Sequence, residues 1–139
     1  MEENLSEAPL AEKKSILVVD DEPALRGLLK RALENKGFYV LPAADGQTAL
    51  DSILAHRPDM VLLDLHLPEM SGMEVCRRIR QAASALGYIP IIVITGISLE
   101  EAKSSGIQAD DYVGKPFDLD DLLSRITRLL QEPSDTQNG

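Results

Sequence analysis

Two hydrophobic periods share this chain. Unbroken apolar runs lie at Ile16-Leu17-Val18-Val19, Met60-Val61-Leu62-Leu63 and Ile91-Ile92-Val93-Ile94, the pattern of strands buried on both faces of a parallel sheet. The first is expected to start at about Ser15. Phe38 to Ala43 and Asp111 to Val113 read as two further strands. Between the runs the period changes. Leu25, Leu28, Leu29, Ala32 and Leu33 fall at i, i+3, i+4, i+7 and i+8 and make one helical stripe. That helix starts near Pro23, a residue suited to a first turn, and Gly37 is placed to cap it. Ala49, Leu50, Ile53 and Leu54 mark a second helix after the Asp45-Gly46 turn, and Arg57-Pro58-Asp59 breaks it. A third is expected from Ser71-Gly72 to about Leu86, with Val75, Ile79, Ala82, Ala83 and Leu86 facing inward. A short fourth is expected around Leu99–Ser104. The last starts at Asp118 and carries Leu119, Leu122, Leu123, Ile126, Leu129 and Leu130 on one face.

Five strands in strict alternation with five helices predict a parallel sheet covered on both faces. The domain is expected over residues 15–131. Residues 1–14 are expected to form a disordered acidic lead, and residues 132–139 a disordered tail with order ending at Pro133. A length of 139 residues argues against a second core.

Charge narrows the partners. A net charge of −9 gives no general attraction to nucleic acid or to an anionic membrane. Arg77, Arg78 and Arg80 cluster, and the plain reading of such a run is a solvated helix face. Cys76 is the only cysteine, so no internal disulfide or cysteine metal site is available, as suits a reducing cytosol. No apolar stretch is long enough to span a membrane. The N-terminal residues lack the apolar core of a secretory signal.

The strand ends carry the chemistry. The first apolar run ends in Asp20-Asp21, the second in Asp64 and the third in Thr95, while Tyr112-Val113 leads through Gly114 to Lys115. In an open parallel α/β sheet, ligands bind at the C-terminal strand edge. Three carboxylates converging there repel one another unless they are hydrated, share protons or bind a cation. Oxygen ligands suit Mg²⁺ or Mn²⁺. With Lys115 as a positive charge and Thr95 as a hydroxyl donor, Asp64 can serve as a nucleophile toward a phosphoryl group and form an aspartyl-phosphate. Each residue also has an ordinary reading. Asp20 and Asp21 could cap the first helix, Thr95 could simply end a strand, Lys115 could be a surface lysine, and Tyr112 a core aromatic.

The segments Leu17-Val18-Val19-Asp20-Asp21-Glu22, Leu62-Leu63-Asp64-Leu65-His66-Leu67-Pro68-Glu69-Met70-Ser71-Gly72, Ile94-Thr95-Gly96 and Ala109-Asp110-Asp111-Tyr112-Val113-Gly114-Lys115-Pro116-Phe117 resemble the receiver domain of two-component response regulators. The likeness runs from about Ser15 to Gln131. It implies a flavodoxin-like doubly wound (βα)5 fold with strand order 2-1-3-4-5. It implies Asp64 as phosphoacceptor, with Asp21, Asp64 and the backbone carbonyl of His66 as direct Mg²⁺ ligands and Asp20 holding the metal through water. Thr95 and Lys115 match the hydroxyl and ammonium that meet the phosphoryl group, and Thr95 and Tyr112 match the switch pair. A cis Lys115–Pro116 bond is also implied.

The resemblance further implies a cytoplasmic signalling domain, not an enzyme beyond self-phosphotransfer and autodephosphorylation. Its partners would be a sensor histidine kinase or histidine phosphotransfer protein and an output protein or domain. No direct contact with nucleic acid or membrane is expected, and the chain would be a monomer or a phosphorylation-dependent dimer. The output surface would be the fourth predicted helix, the last strand and the last helix. Gln108 stands where this family usually has Gly, Gly96 where it usually has Ala, and the Thr95–Lys115 interval is short. These departures concentrate on the fourth helix. The rival readings are an aspartyl-nucleophile phosphatase, a flavin or nucleotide binder and a phosphorylation-independent docking scaffold. A phosphatase of the haloacid dehalogenase type would want an acid where His66 stands, and Asp20-Asp21-Glu22 would repel a bound nucleotide phosphate.

Overall fold

A computed structural model describes residues 13–131. The strands are β1 (Ser15–Val19), β2 (Tyr39–Ala43), β3 (Met60–Asp64), β4 (Ile91–Thr95) and β5 (Asp111–Gly114). All neighbouring pairs are parallel, in the order β2-β1-β3-β4-β5. The helices are α1 (Pro23–Asn35), α2 (Gly46–His56), α3 (Gly72–Gln81), α4 (Ala83–Leu86), α5 (Leu99–Ser104) and α6 (Leu119–Gln131). No helix among the described residues is long and apolar enough to cross a membrane. The expected acidic lead lies largely, and the C-terminal tail wholly, outside the described residues.

The period of two along each strand divides the core. Leu17, Val19, Val61, Leu63, Ile91 and Val93 face one way and meet Ala49, Ile53, Val75, Ile79 and Ala102. Ile16, Val18, Leu62, Ile92 and Ile94 face the other way and meet Leu29, Leu33, Leu122 and Ile126. Thus α1 and α6 cover one face, and α2, α3 and α5 cover the other. β3 and β4 are buried at every residue, which is why their sequences carry no alternation.

Local signals account for most helix ends. Ser71 Oγ accepts the Glu74 amide at 3.2 Å, and Ser98 Oγ accepts the Glu101 amide at 3.0 Å; each is a Ser-x-x-Glu start. Asp45 caps α2 by accepting the Thr48 amide at 2.8 Å. Gly37 closes α1 at φ +94, as its position implied.

Three expectations are revised. The third predicted helix does not run unbroken to Leu86. It stops at Ala82 (φ −92, ψ 9), and a separate turn, α4, follows before Gly87 at φ +82. Leu28, placed on the apolar stripe of the first helix, is 43% exposed; the helix buries a narrower arc than its apolar stripe spans. Arg80 is not part of a solvated face. It leaves α3 to donate to the Gln108 and Ile89 carbonyls at 2.8 and 2.7 Å, and it pairs with Asp110 at 3.1 Å.

This Arg80 network ties α3 to the β4 and β5 entries. Asp110 also accepts the Ile91 amide at 2.8 Å and the Tyr88 hydroxyl, and the Arg80 guanidinium lies over the Tyr88 ring at 4.5 Å. Although 64% of Tyr88 is exposed, loss of water around its hydroxyl and the Asp110 hydrogen bond push the phenol up to about 12. Between the ordinary tyrosine value of about 10 and about 12, the unfolded chain loses this proton first. Stability from this group is therefore complete below the lower value and falls as pH rises across the interval. Urea midpoints measured across that range are expected to fall more steeply for the wild type than for Tyr88→Phe. Parallel slopes would remove Tyr88 from the alkaline transition.

Candidate functional site

Parallel register assembles the site. Val19 is paired with Leu63, Asp64 with Ile94 and Thr95 with Gly114. One step beyond the first of these pairs the chain delivers Asp20 beside Asp64, and one step beyond the last it delivers Lys115 level with Gly96, just past Thr95. The Asp20 amide donates to the Ala43 carbonyl at 3.1 Å, and the Lys115 amide donates to the Thr95 carbonyl at 2.8 Å. The C-terminal edge is thus held by main-chain bonds on both sides of Asp64.

Asp20, Asp21 and Asp64 offer ligand oxygens that all lie within 4.8 Å of one another. Asp20 and Asp64 are 3% and 4% exposed, whereas Asp21 is exposed. Lys115 Nζ lies 3.1 Å from Asp20 Oδ2 and 3.2 Å from Asp64 Oδ2. Burial alone would lower the Lys115 pKa, but the hydrogen bonds and charges of Asp20 and Asp64 outweigh it and hold the pKa above the usual lysine value. One ammonium cannot neutralise three carboxylates. The remaining negative charge and the closely spaced oxygens fit a hard divalent cation.

The carboxylates are oriented by local backbone. Asp20 Oδ1 accepts the Glu22 amide at 2.9 Å, and Asp64 Oδ1 accepts the His66 amide at 3.1 Å. The capping reading of Asp20 and Asp21 does not describe α1: Glu22 occupies the N-cap and no side chain caps it. The imidazole of His66 is on an exposed residue. Thr95 is fully buried, and its Oγ1 accepts the Ile97 amide at 3.1 Å, which leaves the hydroxyl proton for another acceptor. The Tyr112 hydroxyl donates to the Ile107 carbonyl at 2.7 Å. Its ring packs on the α2–α3–α5 side of the sheet. The Lys115–Pro116 peptide is cis.

Gly72 places the end of β3. Its amide donates to the Leu65 carbonyl at 3.0 Å, and a Cβ there would stand 2.3 Å from the Asp64 carbonyl oxygen. The helix start can approach the strand this closely only without a side chain. At the departures from the family pattern, packing is permissive. A Cβ on Gly96 would meet nothing within 4 Å, and the left-handed turn of the α5–β5 connection falls at Gly106, with φ +91. Gln108 instead offers its carbonyl to Arg80 and, at 3.6 Å, to the Cys76 thiol.

A cleft of about 670 Å³ opens between α3 and this connection, lined by Met73, Cys76, Arg77, Arg80, Ile107 and Gln108 among others. None of the three acids lines it, so this cleft and the acidic edge are separate. The contacts of two arginines, Arg80 and Arg26, are not legible in the sequence. Arg80 acts through carbonyls far along the chain, for which a charge run gives no signal. Arg26 Nη1 donates to the Asp20 carbonyl at 2.7 Å; its only sequence mark is a basic residue one turn into the helix that follows the acid pair.

Residues 16–127 match the family model described as response regulator receiver domain. The chain is 44% identical over 118 residues to the response regulator MprA of Mycolicibacterium vanbaalenii, covering 84% of this chain and 50% of the relative. It is 43% identical over 118 residues to the response regulator ArlR of Staphylococcus aureus, covering 84% and 52%. The chain therefore spans about half the length of the curated relatives it matches. Among solved structures, a CheY-like receiver domain protein of Methanospirillum hungatei superimposes with TM-score 0.80 at 32% identity, covering 92% of this chain and all of that one. The response regulator TrrA of Thermotoga maritima, solved in complex with Mg²⁺-BeF, gives TM-score 0.74 at 38% identity, covering 84% and 98%.

Proposed function

The chain belongs to the response regulator receiver domain family, and on that premise we propose that Asp64 accepts a phosphoryl group in a cation-dependent transfer. The donor is a phosphohistidine on a sensor histidine kinase or phosphotransfer protein. An Asp64 carboxylate oxygen attacks phosphorus, the P–N bond breaks, and its electron pair returns to the imidazole nitrogen, which takes a proton. The observation that carries this reading is the buried Asp64 carboxylate with Lys115 Nζ 3.2 Å away and two further acids beside it.

Asp21, Asp64 and the His66 carbonyl would hold Mg²⁺ or Mn²⁺ directly, with Asp20 acting through water. The bound ion would supply charge neutralisation for the oxygens of the transferring group. The Mg²⁺-BeF complex of TrrA supports that cation. Lys115 has donors to give to a phosphoryl oxygen, and the Thr95 hydroxyl keeps a proton to donate. Drawing Thr95 toward the new group would free space for Tyr112, whose bond to Ile107 would then break. The surface built by α5, β5 and α6 is the proposed output face. Phosphorylation shifts it only by the difference in interaction energy between the two arrangements.

The domain is taken to span residues 15–131 and to act as a signalling module in the cytosol, without turnover of other substrates. It is taken to be a monomer, or a dimer when phosphorylated. Its acidity, a net charge of −9 over the sequence, argues against direct nucleic-acid contact by this segment.

Intact mass after incubation with acetyl phosphate and Mg²⁺ tests the reading. The wild type is expected to gain one phosphoryl group, and the gain is expected to vanish in Asp64→Asn and with chelator. An unchanged wild-type mass, or an adduct that survives Asp64→Asn, would overturn it. Mg²⁺ alone is expected to stabilise the fold by about 2.7 kcal/mol at a hundred times its dissociation constant.

A further inference from the structure

Asp20 is held at several points, and only some remain available once Lys115 turns to a phosphoryl group. Its Oδ2 accepts Lys115 Nζ at 3.1 Å, its Oδ1 accepts the Glu22 amide at 2.9 Å, and its carbonyl accepts Arg26 Nη1 at 2.7 Å. Glu22 belongs to the same turn and moves with it. Arg26 stands one turn into α1, on a helix packed against the sheet through Leu29 and Leu33. Beside the main-chain bonds of the Asp20 amide to the Ala43 carbonyl and of the Arg26 amide to the Glu22 carbonyl, it is the side-chain contact that ties Asp20 itself to the helix.

Charge points the same way. After transfer, Asp20 and Asp21 keep their two negative charges and the phosphoryl group adds about two more. A divalent ion and Lys115 answer three of these. The Arg26 guanidinium, which does not deprotonate at any working pH, answers the fourth. Before transfer, the same positive charge works against cation binding rather than for it.

We propose that Arg26 is a positioning residue for phosphorylation of Asp64: it anchors the Asp20–Asp21 turn while Lys115 changes partners, and its charge stabilises the site after the phosphoryl group arrives. The inference rests on the receiver reading above. It predicts a split that a purely structural bond would not produce. A structural role loosens the turn and weakens Mg²⁺ binding, and saturating metal then restores the reaction. Arg26 as a phosphoryl-state anchor leaves Mg²⁺ affinity undiminished and slows transfer even at saturating metal.

The test compares wild type, Arg26→Gln and Arg26→Lys in three measurements: Mg²⁺ affinity by calorimetry, acetyl phosphate labelling at saturating Mg²⁺, and the added thermal shift from beryllium fluoride over Mg²⁺ alone. For Arg26→Gln, an Mg²⁺ dissociation constant no higher than wild type is expected. Labelling is expected to slow about tenfold, the lower end for supporting residues around a metal site, and most of the beryllium fluoride shift is expected to be lost. Arg26→Lys keeps the charge and is expected to recover much of both; it carries the comparison if Arg26→Gln does not fold. Wild-type labelling and beryllium fluoride shift in Arg26→Gln would overturn the assignment, as would a loss confined to Mg²⁺ affinity. A wild type that neither labels nor responds to beryllium fluoride would overturn the receiver reading itself, and the Arg26 role with it.

Discussion

Lys115→Met is expected to destabilise the cation-free protein by about 3 kcal/mol, the scale for removing one partner of a buried ion pair. The side chains of Asp20 and Asp64 are only 4% and 5% exposed, and Lys115 Nζ bridges them at 3.1 and 3.2 Å. Methionine keeps much of the stem's packing and removes the charge, leaving two buried carboxylates beside Asp21 with no ammonium among them. The loss should shrink when Asp64→Asn is added, because one repelling charge is gone. It should also shrink in Mg²⁺, because a cation takes over the neutralisation. Urea unfolding of the four variants, with and without Mg²⁺, measures the coupling. A Lys115→Met cost below about 0.5 kcal/mol, typical of an ordinary surface site, would show that the acids do not depend on the lysine. The pH dependence has a definite sign. Because the Lys115 pKa is raised in the fold, its contribution is complete below the unfolded lysine value of about 10.4 and is lost as pH climbs through the folded one.

Gly72→Ala is expected to cost about 3 kcal/mol, at the upper end for overpacking, and to slow labelling of Asp64. The added methyl would meet the Asp64 carbonyl oxygen at 2.3 Å and the Leu65 Cα at 2.7 Å. Both neighbours are backbone, so no rotamer change relieves the clash. Either α3 lifts away from the sheet and unseats its own Val75 and Ile79, or the end of β3 moves and takes Asp64 with it. A control at Gly96, where a new Cβ meets nothing within 4 Å, should leave stability within about 0.5 kcal/mol, as at unconstrained surface sites. Urea midpoints and acetyl phosphate labelling on the two variants separate these outcomes. If Gly72→Ala matches wild type in both, the approach of helix to strand is looser than the geometry indicates.

Much of the fold could be read before any coordinates. A central parallel strand must be apolar on both faces, so Met60-Val61-Leu62-Leu63 announced its own position, and a carboxylate at its end was conspicuous. The five strands, and α5 at Leu99–Ser104, fall within a residue of their expected bounds. The break at Ala82 did not show, because Ala-Ala-Ser-Ala is compatible with helix; the stop is set by where the chain must turn to enter β4. Leu28 misled because an apolar stripe says which side of a helix faces inward, but not how far the neighbouring surface wraps around it.

The site divides along the same line. Sequence by itself determined which residues stand at the C-terminal strand edge, because strand length and parallel order translate directly into position: Asp20, Asp21, Asp64, Thr95 and Lys115. Only the tertiary structure decided how they are held. That Lys115 bridges Asp20 and Asp64 depends on where β5 lies in the sheet, with β3 and β4 between it and β1. That Tyr112 hangs on the Ile107 carbonyl, and that Arg26 and Arg80 reach backbone oxygens outside their own helices, depends on long side chains meeting main-chain acceptors. Every residue carries such a carbonyl, so the sequence cannot distinguish the one that is used. The choice follows from packing distances that exist only once α1, α3 and β5 have closed on the sheet.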